Sequence, residues 1–248
     1  MKIVIEREDL QAVFEHLTSN PRDMFLIDYA RSLVARRRHM QAVATKAVEI
    51  TSDQNSLWPD ALEHNLPGLE QWNINARTNR LIRPLSAIDR VFFNAADLKV
   101  LSIGPRTEVE LLNLVAHGFL PENIRGLDLF SSSPWIDVGN MHNMPYPDNS
   151  FDVVIAGWVL VYSSDPDLAC REMLRVAGHK GIIAIGATRW AEEKWRAEGN
   201  GRTQKHYPGV WDVLEMFGTA VRNVYVQHES ESNDKEGRTI VIFDVNKN

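Results

Sequence analysis

The sequence predicts a doubly wound α/β fold that ends in an antiparallel hairpin, and three observations support this prediction. Short apolar runs alternate with helical patterns from about residue 98 onward. One run, 99–103, leads into Gly104-Pro105 and then directly into a helical pattern over 108–116. Only the polar segment 229–237 separates the last two runs. The alternation indicates a parallel sheet with right-handed crossovers, and the short final connection indicates a hairpin at one edge.

Length and composition are those of an ordinary globular chain. The 248 residues, 44% hydrophobic and 24% charged, suffice for one domain with an appendage. The net charge of -6 argues against a nucleic-acid partner held through its phosphates. The single Cys170 forms no intrachain disulfide and no Cys/His cluster has metal-ligand spacing, so we expect a cytoplasmic protein without a metal. No signal peptide or membrane span is predicted.

Residues 1–75 are predicted to be a helical segment that acts as a lid or cap on a main domain at 76–248. Apolar spacing predicts a helix over 10–17 and a longer one over 22–50, with a break within the longer one as the alternative. The run Arg36-Arg37-Arg38 is interpreted as a solvated helix face, with nucleic-acid binding as the alternative.

The predicted elements can be placed along the whole chain. The strands are predicted at 99–103, 124–128, 151–156, 181–185, 221–228 and 238–245. The later helices are predicted at 71–93 with a break near Pro84, and at 108–116, 165–176 and 209–216.

Gly104 and Asp128 follow the first two predicted strands, where open α/β sheets bind their ligands. The glycine turn would present backbone N–H groups and a helix N-terminus to a ligand. Asp128 lies about 24 positions later, where a carboxylate accepts hydrogen bonds from both hydroxyls of a nucleoside ribose. The alternative is that Asp128 only caps the turn that follows it.

The segment 137–152 carries a resemblance to a known family. Gly139-Asn140-Met141, then Met144-Pro145-Tyr146-Pro147-Asp148-Asn149-Ser150-Phe151-Asp152, resembles the Gly-Asp-Ala…Leu-Pro-Phe-x-Asp-x-Ser-Phe-Asp block of class I S-adenosylmethionine-dependent methyltransferases, closest to their small-molecule branch. Similar segments extend the resemblance over about residues 98–190. It implies a Rossmann-like seven-stranded sheet, S-adenosyl-L-methionine as cofactor, and a small-molecule acceptor methylated at an O, N or C atom.

The resemblance also implies a set of cofactor-binding positions. They are Ser102, Gly104, Arg106 and Glu108 in the first turn, Asp128 and Leu129 after the second strand, Asn140 and Met141 beside the adenine, and Gly157 and Trp158 after the fourth strand. The chemistry of Asn140 and Met141 agrees with a position beside adenine. A carboxamide can hydrogen-bond the adenine amine, and a methionine side chain packs well on the flat ring.

The first turn departs from the family's acid-x-Gly-x-Gly-x-Gly pattern, because only Gly104 matches it. In an open turn, we expect Arg106 to pair with the cofactor's carboxylate and Glu108 to accept from its ammonium. If the Arg106 side chain instead swings out, it makes no such contact.

Two other functions stay open at this point. A catalytically degenerate protein with a binding or regulatory role is one, favoured by the altered glycine pattern. A nicotinamide-dependent oxidoreductase is the other, since it also uses a glycine turn and an acid, but it leaves the block at 140–152 unexplained.

Catalytic residues are the least determined part of the sequence. The main candidates for a general base are Tyr162 and His206, with His142 and Tyr207 as further ones. Trp158 and Trp190 are interpreted as core residues or as walls of an acceptor pocket, and 199–209 as a lid loop.

Overall fold

The computed structural model describes residues 4–51, 76–190, 209–230 and 236–247. Its strands are β1 (Glu49–Ile50), β2 (Val100–Ile103), β3 (Ile124–Asp128), β4 (Phe130–Ser131), β5 (Ile136–Val138), β6 (Phe151–Gly157), β7 (Ala177–Trp190), β8 (Val221–Glu229) and β9 (Glu236–Val245). Seven of them form one sheet in the order β5-β3-β2-β6-β7-β9-β8, while β1 pairs separately with β4.

The sheet confirms the predicted architecture. Strands β5, β3, β2, β6 and β7 run parallel, and β9 is antiparallel to both β7 and β8. The C-terminal hairpin therefore forms one edge, with β8 outermost. All six apolar runs are strands. The seventh strand of this sheet, β5, was not predicted, because its three residues are too few to show an alternating pattern.

The helices of the described residues surround this sheet. They are α1 (Arg7–Ser19), α2 (Asp28–Ala44), α3 (Ala76–Ser86), α4 (Asp89–Asn94), α5 (Glu108–Ala116), α6 (Pro166–Val176) and α7 (Val210–Glu215). The helices predicted at 108–116, 165–176 and 209–216 are confirmed to within a residue at each end. The break predicted in the pattern over 71–93 is the end of α3 at Ser86.

The long helix predicted over 22–50, with a break as the alternative, is broken near its start and ends earlier than predicted. Residues Pro21–Leu26 form a 3₁₀ turn, and the extended Ile27 separates this turn from α2. At the other end, Lys46 adopts a left-handed φ of 56°, which an α-helix does not accommodate, and the chain continues into β1.

Both faces of the sheet are buried. On β6, Val153 and Ile155 pack in one apolar layer, whereas Val154 and Ala156 pack in the other. The first layer also contains residues of α3, α4 and α5, and the second contains residues of α6 and α7. Because helices cover both faces, the central strands are continuous apolar runs, which is why they were predictable from the sequence.

Helix α2 is attached to α5 through charged groups. Arg38 donates from Nε to Oε2 of the buried Glu108 at 2.5 Å, and its guanidinium lies 5.7 Å from the centre of the Trp135 ring. A second link joins His39 Nδ1 and Ser132 Oγ at 2.8 Å. The N-terminal segment is therefore fixed to the helix that begins just after the Gly104 turn.

Candidate functional site

The strand order reverses between β2 and β6, and the carboxyl ends of these neighbours are where ligands bind in open α/β sheets. Gly104 follows β2 with a φ of +69°. A Cβ there would lie 2.7 Å from Cγ2 of Val159, in the loop after β6. Both the backbone conformation and this close approach require glycine, as predicted from the sequence.

Asp128 joins the first turn to the end of β3. Its Oδ2 accepts from the N–H of Arg106 at 2.9 Å, and its Oδ1 accepts from the N–H of Leu129 at 2.7 Å. A capping role is therefore present in the structure. Because each carboxylate oxygen has two lone pairs, hydrogen bonds from a ligand can add to these backbone contacts.

Burial raises the pKa of the Asp128 carboxyl to about 6, against the opposing effect of the backbone hydrogen bonds and of the Arg106 charge. A carboxyl group with this pKa changes its charge near neutral pH. Additional hydrogen bonds to its charged form would lower the pKa again.

Arg106 adopts a left-handed φ of 57°, in the turn that Asp128 holds. This conformation favours glycine, which is the family's residue at this position. The side chain is partly exposed, and its charge acts on the Asp128 carboxylate. Whether it also binds a cofactor carboxylate stays a prediction.

Glu108 lies at the start of α5, and protein groups contact both of its carboxylate oxygens. Oε2 accepts from Arg38, and Oε1 accepts from the Ser133 hydroxyl. These contacts connect α2, α5 and the loop after β4. The geometry does not test the predicted contact between Glu108 and the ammonium group of the cofactor.

Glu110 is a candidate residue that sequence reasoning missed. Its Oε1 accepts from the hydroxyl of Ser102, which stands where the family has an acid, and both side chains are buried. Its Oε2 lies 3.8 Å from where a Cβ on Gly157 would be. The helix therefore returns a carboxylate to the point where β2 and β6 end. The available signal was an acid inside the otherwise apolar run 109–112.

Trp158 has its backbone at the end of β6 and its ring in the core. Its φ is 59°, and its N–H donates to the carbonyl of Gly186 at 2.6 Å. The ring covers Gly186, where a Cβ would come within 2.8 Å of it. The indole thus packs in the apolar layer that contains α3.

The loop after β5 contains the predicted adenine-side residues. Oδ1 of Asn140 accepts from the N–H of His142 at 3.0 Å. Met141 is buried in the apolar layer that contains residues of α6 and α7. Nε2 of His142 lies 2.6 Å from Oγ of Ser163, which joins this loop to the one after β6. Tyr162 precedes Ser163 in a 3₁₀ turn and is partly exposed.

Several predicted residues are not described by the structure. His206 and Tyr207 lie outside the described residues, as does most of the loop 199–209, and only the backbone of Trp190 is described. Within the described ranges, no group of His, Cys, Asp and Glu side chains is arranged to hold a metal ion. None of the helices in these ranges is long and apolar enough to cross a membrane.

Comparisons with known proteins agree with this geometry. Residues 118–185 match the family model of a methyltransferase domain. The fold is similar to that of the CurJ carbon methyltransferase, with 12% identity, a TM-score of 0.53, and coverage of 100% of this chain and 72% of that one. It is also similar to phospholethanolamine N-methyltransferase 2 of Haemonchus contortus, with 12% identity, a TM-score of 0.51, and coverage of 66% and 52%. Among curated proteins, none matches the sequence.

The family match and the fold confirm the predicted class. Residues 118–185 match a methyltransferase domain, and the described fold is the Rossmann-like fold of the methyltransferases compared above. The family implies S-adenosylmethionine as the methyl donor. The residues present fit this cofactor, since a glycine turn and the buried carboxylates of Asp128 and Glu110 meet at the strand ends.

We predict that Asp128 makes folding stability depend on pH. Its folded pKa near 6 exceeds the ordinary 3.8, so the stability it contributes is fully present below about pH 4 and is lost as pH rises through 6. Replacing Asp128 by Asn removes this titration. From below pH 4 to above pH 6, the unfolding free energy of wild type should therefore fall by about 3 kcal/mol relative to that of the variant.

Urea unfolding of wild type and Asp128→Asn across this pH range measures the effect. Taking the change in the difference cancels the constant cost of replacing one acceptor by a donor. A difference that is independent of pH would show that Asp128 titrates normally in the folded protein.

Proposed function

We propose that this protein transfers the methyl group of S-adenosylmethionine to an O, N or C atom of a small-molecule acceptor. The observation that carries the proposal is that Gly104 after β2, Asp128 at the end of β3 and Glu110 beside the ends of β2 and β6 surround one switch point of the sheet. The net charge of -6 disfavours a nucleic-acid acceptor.

In this proposal, the carboxylate of Asp128 accepts hydrogen bonds from the two ribose hydroxyls of the cofactor. Leu129 and Met141 lie on the adenine side, and Asn140 supplies an amide to the adenine amine. The guanidinium of Arg106 pairs with the methionine carboxylate. These roles combine the family resemblance with the positions of the residues around the switch point.

For the ammonium group we propose Glu110 rather than Glu108. Arg38 and Ser133 already contact the two oxygens of Glu108, and these contacts serve to attach α2. Glu110 instead lies beside Ser102 and Gly157, at the ends of the two central strands. The Ser102–Glu110 pair thus replaces the acid of the family's first motif.

The sulfonium cofactor supplies an already activated methyl group when it is bound, so the protein mainly has to align the acceptor and exclude water. We propose that residues 1–75 exclude water by acting as a lid or cap. In support, the N–H of Thr51 donates to the carbonyl of Leu129 at 2.7 Å, next to Asp128. Tyr162 and His206 are the proposed bases if the acceptor is a hydroxyl or a protonated amine.

Titration calorimetry with S-adenosylhomocysteine tests the cofactor part of the proposal. We expect Asp128→Ala to weaken binding by roughly 1.5–3 kcal/mol, because a hydrogen bond to a charged group is lost. Asp89→Asn, which removes an exposed carboxylate on α4, is the matched control and should bind as wild type does. A wild-type protein that binds no S-adenosylhomocysteine would instead favour the degenerate alternative.

The acceptor part is tested by incubating the protein and S-adenosylmethionine with a metabolite extract. Mass spectrometry should show a small molecule that gains one methyl group only when both are present. Methylation of added protein or nucleic acid, with no small-molecule product, would contradict the proposed acceptor class.

A matched pair of variants identifies the ammonium ligand. We expect Glu110→Gln to bind S-adenosylhomocysteine and its desamino analogue almost equally, because the charge that distinguishes them is lost. Glu108→Gln should keep the wild-type preference for the amine. If Glu108→Gln loses the preference and Glu110→Gln keeps it, the assignment is reversed.

A further inference from the structure

The loop between β5 and β6, residues 139–150, carries the proposed adenine contacts and is called the adenine-side loop below. Some of its backbone hydrogen bonds join near neighbours in the chain. The N–H of Asn143 donates to the carbonyl of Asn140 at 3.1 Å, and the N–H of Tyr146 donates to the carbonyl of Met144 at 2.8 Å. Such local bonds fix the shape of the loop, but they do not fix its position over the sheet.

Arg175, near the C-terminus of α6, connects this loop to the helix through its guanidinium. Nη2 donates to the carbonyl of Met144 at 2.9 Å, and Nη1 donates to the carbonyl of Tyr146 at 2.7 Å. Nη1 also donates to Oδ1 of the exposed Asp148 at 2.9 Å. The planar guanidinium thus holds two carbonyls of one loop at once, a geometry that a lysine ammonium does not reproduce.

Glu172, three residues earlier on α6, binds the other backbone group of Met144. Its Oε2 accepts from the N–H of Met144 at 2.7 Å, and its Oε1 accepts from Nε of Arg175 at 2.6 Å. The hydrogen bonds from Arg175 are the main reason that the pKa of the Glu172 carboxyl is lowered. One charged pair on α6 therefore binds both the N–H and the carbonyl of Met144 through charge-assisted hydrogen bonds.

Met144 directly follows the turn that presents the proposed adenine contacts. This turn begins at Asn140, whose Oδ1 accepts from the N–H of His142, so the orientation of the amide depends on the turn. Met141 belongs to the same turn. A displacement of Met144 would therefore move both proposed adenine contacts relative to Asp128, which lies at the end of β3.

We propose that Arg175 and Glu172 are positioning residues that hold the adenine-side loop in place for the cofactor and thereby set the preference of the site for adenine. This inference rests on the proposed cofactor contacts of Asn140 and Met141. Neither charged side chain needs to touch the cofactor. A loop that is held before binding keeps the affinity high, because apparent affinity falls with the fraction of molecules in which the site is not formed.

Titration calorimetry tests the proposal with S-adenosylhomocysteine and with its inosine analogue, in which an oxygen replaces the adenine amine. Wild type should prefer S-adenosylhomocysteine, because the side-chain carbonyl of Asn140 accepts from an amine but not from that oxygen. Arg175→Lys keeps the positive charge but cannot hold both loop carbonyls. We expect it to weaken S-adenosylhomocysteine binding by about tenfold.

The preference between the two ligands separates positioning from a purely structural role. A ligand that Asp128 holds while the loop is displaced makes no contact that distinguishes the two bases. Arg175→Lys should therefore reduce the preference for S-adenosylhomocysteine as well as its affinity. Glu172→Gln removes the charge that pairs with Arg175 and should change both quantities in the same direction, so it decides the question if Arg175→Lys does not fold.

Two control variants are available on the same helix and the same guanidinium. Arg171 is an exposed arginine of α6, and Arg171→Lys makes the same chemical exchange away from the loop. Asp148→Asn removes the exposed partner of Arg175 but leaves its bonds to the two loop carbonyls in place. Both variants should bind the two ligands as wild type does.

The outcomes distinguish this inference from the proposed function. A wild type that binds no S-adenosylhomocysteine would contradict the proposed function itself. A wild type that binds both ligands equally well would contradict the proposed preference for adenine. If wild type shows the preference, an unchanged preference in the folded Arg175→Lys and Glu172→Gln variants would overturn the positioning role and leave the proposed function standing.

Discussion

The proposed cofactor site depends on the hydrogen bonds that the carboxylate of Asp128 accepts from the first turn. Its two oxygens hold the N–H groups of Arg106 and Leu129, so that one buried acid fixes the first turn against the end of β3. This turn places Gly104 against Val159, in the loop after β6. A buried acid is costly in its charged form, which the raised pKa reflects. A ligand that donates hydrogen bonds to the Asp128 carboxylate can therefore stabilise its charged form.

Helix α5 links this site to the rest of the chain through two glutamates on different sides. Glu108 binds Arg38 of α2 and Ser133, which attaches the N-terminal segment to the domain. Glu110 binds Ser102 and returns a carboxylate to the end of the central strands. A single helix therefore joins the N-terminal segment and the proposed ammonium site.

Much of the fold was predictable because its signals are local. Apolar runs mark strands that are buried on both faces, and the Gly104 turn follows from the strand that precedes it. The pairing of Ser102 with Glu110 was not predictable, since it depends on a helix turn that the family's motif spacing does not describe. The length of α2 was overestimated, because its amphipathic pattern continues past the left-handed Lys46. Likewise, β5 is recognisable only by its pairing with β3.

The most direct test of the account is the pKa of the Asp128 side chain, followed by heteronuclear NMR with and without S-adenosylhomocysteine. Without ligand, the carboxyl should titrate near pH 6. Ribose hydroxyls that donate to the charged form should lower this pKa by at least about one unit. The same pKa in the free and the bound protein would show that Asp128 holds only the turn, and would contradict its proposed role in cofactor binding.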